Sequence, residues 1–281
     1  MKISEIFHSI QGEGRLVGVP SVFIRLMNCV LVCPYCDSKH ASRCLDTPTY
    51  NIDSKQAVIA FAYEVGDKYS KEFPNCKNIV ITGGEPLLES NWELLRIFCA
   101  ILCNKYNYYI SFETTMIPNI NLFKTSNIVE VYNKFSKEFN IFSEHEMKVN
   151  PYLYNNYNFN TTVCPKIDVA CYPVEVELED ILNYYIPNHW VFFSDNNIDY
   201  KIVYYKEVEY NILKLIEKIN EETDEDIRDY LYIMPFTPIG KKFNEKNWNN
   251  SCLETVEFCK KYSLNYTPRT HVDLWGLKRG V

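Results

Sequence analysis

Cys29, Cys33 and Cys36 stand in the spacing C-x3-C-x2-C within 281 residues. Three thiolates this close suit a metal centre. Zinc would take a fourth ligand, from His40 or Cys44. A [4Fe–4S] cluster held by three cysteines would instead keep one iron open to a substrate or cofactor. Spacing alone leaves both open. The chain has 11 Cys, an odd number, and its first residues lack the apolar stretch of a signal peptide. That combination reads as free thiols or metal ligation in a reducing, cytoplasmic compartment, not as a disulfide scaffold.

Glycine is the second signal. Seven of the nine glycines fall in three short stretches: Gly12, Gly14 and Gly18; Gly83 and Gly84; Gly276 and Gly280. A chain so sparing of glycine places it where backbone turns tightly or approaches a ligand. Thr82-Gly83-Gly84-Glu85-Pro86 ends a β-rich run and, taken alone, reads as a strand-to-helix turn.

The elements that must position these residues alternate in type. Short strands are expected at 3–7 and 22–27, with the cysteine loop at 28–40 and a helix over 53–69. A strand at 78–82 leads into Gly83-Gly84, and Ser90-x-x-Glu93 predicts a capped helix to about residue 104. The next strand is expected at 108–112. This β-loop-α-β order points to a parallel sheet covered by helices. Residues 115–160, rich in Asn, Tyr and Phe and including an aperiodic stretch from Pro151, read as a long insert on the scaffold. Strands resume at 161–164 and 200–204. Val208, Ile212, Leu215, Ile216 and Ile219 mark a helix by their stripe. A strand at 230–234 precedes a helix capped by Ser251-x-x-Glu254. The whole is expected to be one α/β domain over 1–281 with the insert at 115–160.

Composition narrows the function. Apolar residues make up 47% and charged residues 23% of the chain, which are globular values. The longest strongly apolar run, 97–103, is far short of the roughly 18 residues a membrane span needs, so no membrane partner is expected. The formal charge of −7 argues against nucleic-acid binding by bulk charge and favours a small-molecule partner.

The cysteine spacing with Tyr35 before the third Cys resembles the cluster motif of radical S-adenosylmethionine (SAM) enzymes, and Gly83-Gly84-Glu85-Pro86 resembles their second signature. Phe7-His8-Ser9-Ile10-Gln11-Gly12-Glu13-Gly14, Phe23-Ile24-Arg25, Cys36-Asp37-Ser38 and the tail Trp275-Gly276-Leu277-Lys278-Arg279-Gly280-Val281 are similar to a narrower group, the 7-carboxy-7-deazaguanine synthases. The likeness covers the N-terminal third and the tail well and the middle poorly. It implies a partial (β/α) barrel of the radical SAM type.

The reaction so implied is a lyase-type ring contraction. 6-carboxy-5,6,7,8-tetrahydropterin loses a hydrogen from C6 to a 5′-deoxyadenosyl radical and rearranges. Ammonia leaves and 7-carboxy-7-deazaguanine forms, for queuosine-type 7-deazapurine biosynthesis. The implied cofactors are a [4Fe–4S] cluster, SAM and Mg²⁺; the implied partners are an electron donor such as flavodoxin or ferredoxin, and a second copy in a homodimer.

By the same resemblance, Cys29, Cys33 and Cys36 would hold the cluster and Ser38 the Mg²⁺. Ile10, Gln11, Gly12, Arg25 and Thr82 would bind the substrate, with Glu13 accepting from its amino groups. Tyr35, Cys36, Asp37, Gly84, Cys164, Pro165 and Lys166 would bind SAM. Cys164 stands where relatives carry Ser. Glu113 and His271 occupy family-like positions near the substrate. Two other readings compete: a glycyl-radical-enzyme activase, which would not explain Gln11-Gly12-Glu13-Gly14, and a zinc-stabilised binding module, which would not explain Gly83-Gly84-Glu85-Pro86. Cys99 and Cys103 are expected to be core thiols.

Overall fold

The computed structural model describes residues 1–139, 146, 148, 150, 159–187, 197–223, 226–238 and 243–281. Nine strands form one sheet: β1 (Lys2–Ile10), β2 (Pro20–Leu26), β3 (Tyr50–Asn51), β4 (Asn78–Gly83), β5 (Tyr109–Thr114), β6 (Phe159–Val163), β7 (Ile198–Tyr204), β8 (Leu231–Pro235) and β9 (Asn265–Tyr266). Their spatial order is β3-β1-β2-β4-β5-β6-β7-β8-β9. The hairpin β1–β2 and the short β3 are antiparallel; from β2 to β9 every pairing is parallel.

From β2 onward the parallel strands add in chain order and never reverse. Right-handed crossovers wound in that way keep their helices on one face, which is how a barrel grows. A doubly wound sheet would reverse its order and cover both faces. The helices are α1 (Lys39–Ser42), α2 (Lys55–Glu72), α3 (Trp92–Tyr106), α4 (Ile128–Phe139), α5 (Leu178–Tyr185), α6 (Glu209–Glu222), α7 (Glu245–Tyr262) and α8 (Thr270–Trp275). Among the described residues no helix is long and apolar enough to cross a membrane.

Alternation along the strands gives the sheet two unlike faces. Val22, Ile24 and Leu26, Ile79 and Ile81, Ile110 and Phe112, and Ile198, Tyr200 and Ile202 are buried in the apolar core with the helices. The intervening positions on the other face include Arg25, Thr82, Glu113 and Lys201, and these line a cavity. The core is rich in rings: Phe112 meets Phe135, Phe139 and Phe159 edge-on at 5.5–5.8 Å between centroids.

Two expectations about helix caps need revision. Residues 115–160 carry α4, the crossover that parallel β5 and β6 require, and Ile128, Val131, Tyr132, Phe135 and Phe139 form its buried stripe. Residues 140–145, 147, 149 and 151–158 of that segment lie outside the described residues. Ser90 does not cap α3: it sits in a 3-10 turn, Glu89–Asn91, that feeds the helix without a side-chain cap bond. The turn is anchored instead by Asn91 Nδ2 to the Pro86 carbonyl at 3.3 Å and Trp92 Nε1 to the Leu87 carbonyl at 2.8 Å. Ser251 lies inside α7, where its hydroxyl donates to the Phe236 carbonyl at 2.6 Å. The cap is Asn244, whose Oδ1 accepts from Asn247 N at 2.9 Å.

Candidate functional site

The polar face of the sheet, the loop after β1, the cysteine loop and the residues around α8 enclose a cavity of about 490 Å³. It lies at the C-terminal ends of the parallel strands, where ligands collect in α/β folds. Cys29, Cys33, Tyr35, Cys36, Asp37 and Ser38 line it, as do Ile10, Gln11, Gly12, Arg25, Thr82, Gly84, Cys164 and Lys166, with Glu113 and His271. Pro165 is buried beside them.

The cysteine loop is held to the end of β4 by backbone contacts. Gly84 N donates to the Leu26 carbonyl at 2.9 Å and Glu85 N to the Asn28 carbonyl at 2.6 Å. A Cβ on Gly84 would stand 1.8 Å from the Asn28 oxygen. The close approach that requires this glycine is therefore made by the protein's own loop. Gly83 adopts a φ of +124°, a conformation favouring glycine.

Glu85 faces away from solvent and acts as a knot. Its carboxylate accepts from Leu87 N at 2.9 Å, Thr115 N at 2.7 Å, Thr115 Oγ1 at 2.5 Å and Thr114 Oγ1. Burial raises its pKa, and the four donors oppose that rise.

Cys29 Sγ accepts from Leu31 N at 3.4 Å, and Cys36 Sγ lies 3.5 Å from Ser42 Oγ. Burial pushes the Cys29 thiol up to about 12, whereas a hydrogen bond from Cys171 brings Cys33 down to about 7. Cys171, which the sequence did not single out, is tied to this loop: Val32 N donates to its carbonyl at 2.8 Å, and its Sγ lies 3.2 Å from Tyr35 Oη. The candidate fourth zinc ligands turn elsewhere. Cys44 Sγ donates to Asn28 Oδ1 at 2.5 Å, and His40 Nε2 is 3.6 Å from Glu5. Among the described residues no group of three or more His, Cys, Asp or Glu side chains converges on a single ion. Three soft thiols on the wall of one cavity, each with a hydrogen-bonding neighbour at sulfur, fit a cluster better than a lone tetrahedral metal. Ser38 Oγ donates to Asp37 Oδ1 at 3.0 Å and accepts from Arg25 Nη1 at 3.0 Å.

Charged groups join the walls of the cavity. Lys201 Nζ lies 2.6 Å from both Glu13 Oε2 and Glu113 Oε1. Glu113 also accepts from Gln11 Nε2 at 3.2 Å and Thr82 Oγ1 at 3.1 Å. Arg269 donates from Nε to Glu13 at 2.7 Å, from Nη1 to Thr237 and from Nη2 to Asp37. Arg25 Nε donates to Glu5 at 2.7 Å. Lys201, Arg269, Glu5 and Thr237 were not legible from motifs. Cys164 is half-buried, with its thiol raised to about 11 by desolvation and directed at the Thr162 carbonyl, 3.8 Å away. Cys99 is wholly buried in the core.

Comparison with known proteins bears on this geometry. No family model matches the chain. A 7-carboxy-7-deazaguanine synthase from Buchnera aphidicola is 32% identical over 154 residues, spanning 52% of this chain and 69% of the relative. The chain belongs to the 7-carboxy-7-deazaguanine synthase family. The synthase of Halobacterium salinarum is 39% identical over 114 residues, 41% of this chain and 38% of the relative, so the matched region spans well under two thirds of that protein. A radical SAM methyltransferase from Sphaerobacter thermophilus superposes with a TM-score of 0.51 at 12% identity, covering 92% of this chain and 69% of that one. The fold is therefore of the radical SAM type, the α/β partial barrel expected from the family's motifs.

Proposed function

We propose that the cavity holds a [4Fe–4S] cluster on Cys29, Cys33 and Cys36 together with SAM, and converts 6-carboxy-5,6,7,8-tetrahydropterin to 7-carboxy-7-deazaguanine with loss of ammonia. The observation that carries this reading is the shared cavity. Three thiols for a cluster share it with Gln11, Glu13 and Glu113, which suit a donor-rich pterin edge, and Arg25, which suits a carboxylate. When bound, the cluster and SAM supply the hydrogen-abstracting chemistry. The chain's part is to bind and orient. Tyr35, Cys36, Asp37, Gly84, Cys164, Pro165 and Lys166 are assigned to SAM. Ile10, Gln11, Gly12, Arg25 and Thr82 are assigned to the pterin, and Ser38 to Mg²⁺, which binds weakly through one hydroxyl and keeps waters.

Arg25 reaches the ligand already engaged by Glu5 and Ser38, so its guanidinium is held in place and offers its remaining donors to a carboxylate. Lys166 lies among Cys33, Cys36, Cys164 and Cys171; burial alone would lower its pKa, and ionised thiols raise it. It suits the carboxylate of an amino acid cofactor. The same reading includes one catalytic domain over 1–281 with residues 115–160 elaborated around α4, a cytoplasmic location, a flavodoxin- or ferredoxin-type donor and a homodimer.

The test is anaerobic turnover of reconstituted, reduced protein with SAM, Mg²⁺ and the tetrahydropterin, read by mass spectrometry. Formation of 7-carboxy-7-deazaguanine without net consumption of SAM supports the proposal. Iron binding and SAM cleavage without that product would refute the substrate, and absence of iron would refute the cluster. In Cys33→Ala, turnover is lost while the fold persists; full activity there would also refute the cluster assignment.

A further inference from the structure

We propose that Lys201 is a positioning residue: its ammonium clamps the carboxylates of Glu13 and Glu113, carried on two separate elements, into one acceptor surface for the donor edge of the ligand. This rests on the pterin reading above and deepens it.

The clamp is built from distant parts of the chain. Glu13 belongs to the loop after β1, Glu113 to the end of β5, and Lys201 to the middle of β7. The Lys201 side chain is 2% exposed and its Nζ is 2.6 Å from each carboxylate. Gly14, at φ +69°, covers its stem, with a built Cβ 3.8 Å from Cδ, while Gly14 N donates to Thr267 Oγ1 at 2.7 Å. Asp199, two residues earlier on the same face of β7, is buried. Its ion-pair partner is Arg15, at 3.6 Å. Lys201 thus pairs with two cavity-lining carboxylates brought by other elements, and Asp199, two residues away on its own strand, pairs with Arg15.

Every charged group facing the clamp can be named. Arg269 and His271 face Glu13, and Asp37 lies beyond Arg269. Cys164 on the neighbouring strand and Asp199 face Lys201. Burial keeps His271 below its ordinary pKa and therefore neutral near pH 7. With Asp199 paired to Arg15 and Arg25 to Glu5, two cations stand against the carboxylates of Glu13, Glu113 and Asp37. That leaves one uncompensated negative charge, which favours an amino-bearing edge.

Removing the ammonium leaves Glu13 and Glu113 facing each other in a desolvated site. The pair then retains a proton to higher pH than it does in the unfolded chain. Two consequences follow with opposite slopes. Native stability of Lys201→Met rises as pH falls from 8 toward 6, because the folded state takes up the proton more readily. Binding of a ligand that needs both acceptors weakens over the same interval.

The experiment uses the iron-loaded protein with SAM, titrated anaerobically with 6-carboxytetrahydropterin by calorimetry from pH 6 to 8.5, alongside thermal melts. Lys201→Met is expected to bind the pterin roughly tenfold more weakly at pH 7, the order of one lost charge-assisted hydrogen bond. Its iron content and SAM affinity stay within about twofold of wild type, a difference well below 1 kcal/mol. Lys201→Arg restores most of the affinity. Should Lys201→Met not fold, Lys201→Met/Glu113→Gln removes one charge of each sign and is expected to fold, with neither pH slope. A Lys201→Met protein whose melt and pterin affinity follow the wild-type pH profiles would overturn the clamp. So would equal losses of SAM and pterin binding, which mark a general structural role. If wild type binds SAM but no pterin, the proposed substrate fails, and the melts alone decide whether Lys201 holds the pair.

Discussion

Arg269 and Asp37, 232 positions apart, meet as an ion pair between a buried guanidinium and a carboxylate at the cavity's exposed rim, tying the residue after the third cysteine of the loop to the approach to α8. The same guanidinium reaches Glu13. One side chain thus joins the cysteine loop, the loop after β1 and the C-terminal part of the chain. Removing the guanidinium leaves Glu13 with Lys201 alone and Asp37 with water. Arg269→Met is expected to lose about 1–3 kcal/mol in urea unfolding, the cost of leaving a buried polar group under-satisfied. Arg269→Lys keeps the charge but not the three-way fork, and should fall between.

Glu85 makes a different demand. Each of its oxygens accepts from a backbone N–H, Leu87 N at Oε1 and Thr115 N at Oε2, and an N–H cannot accept in return. Glu85→Gln would set an NH2 against one of those donors. A loss of about 1–3 kcal/mol is expected, the cost of leaving buried polar groups unsatisfied. A melting temperature equal to wild type would show that the knot is dispensable.

For Arg25, the assigned partner is a ligand carboxylate, and the partners seen are Glu5 and Ser38. Arg25→Ala should weaken pterin binding roughly tenfold or more, the scale of a charge-assisted contact, with SAM binding little changed. Calorimetry of the reconstituted protein separates the two. Equal losses would mean that Arg25 acts through Ser38 and the cysteine loop.

The acid response of Glu13 follows from its surroundings. Burial alone would raise its pKa, but Lys201, Arg269 and His271 outweigh that and hold it well below 4.5. A carboxylate depressed in the folded state contributes stability that is fully present above its unfolded value and lost as pH falls through the folded one. The stability gap between wild type and Glu13→Gln should therefore stay constant from pH 7 to about 5 and shrink only below the ordinary carboxylate range. Urea unfolding at several pH values reads it. A gap that narrows between pH 7 and 6 would contradict the pairing.

What the sequence made legible was local. The β-loop-α-β order, the cysteine loop, the Gly83-Gly84 turn and the apolar stripe of α6 each lie within a few turns of chain, and each is present in the structure. Lys201 sits in Tyr200-Lys201-Ile202-Val203-Tyr204, where nothing nearby tells an inward lysine from a solvent-facing one. Its role exists only because β5 and the loop after β1 arrive beside it. Arg269 was silent for the same reason. The stripe of α4, from Ile128 to Phe139, was masked by intervening Asn, Lys and Glu and by the aperiodic residues that follow. Ser90 and Ser251 carry the cap spacing, yet tertiary contacts start α3 and α7 elsewhere, because a four-residue pattern does not outweigh a side chain already committed to a neighbouring carbonyl.

The tie through Arg269 also sets an order of events during synthesis. Chains emerge from the ribosome N-terminus first, at about 5–20 residues per second. The three cysteines leave it long before the arginine that neutralises Asp37 and Glu13 has been made. Until residue 269 has been added, those acidic neighbours lack this counter-charge and the thiols stand beside an unfinished wall. The cysteine loop therefore acquires its full set of charge partners only after more than 230 further residues have followed it out of the ribosome.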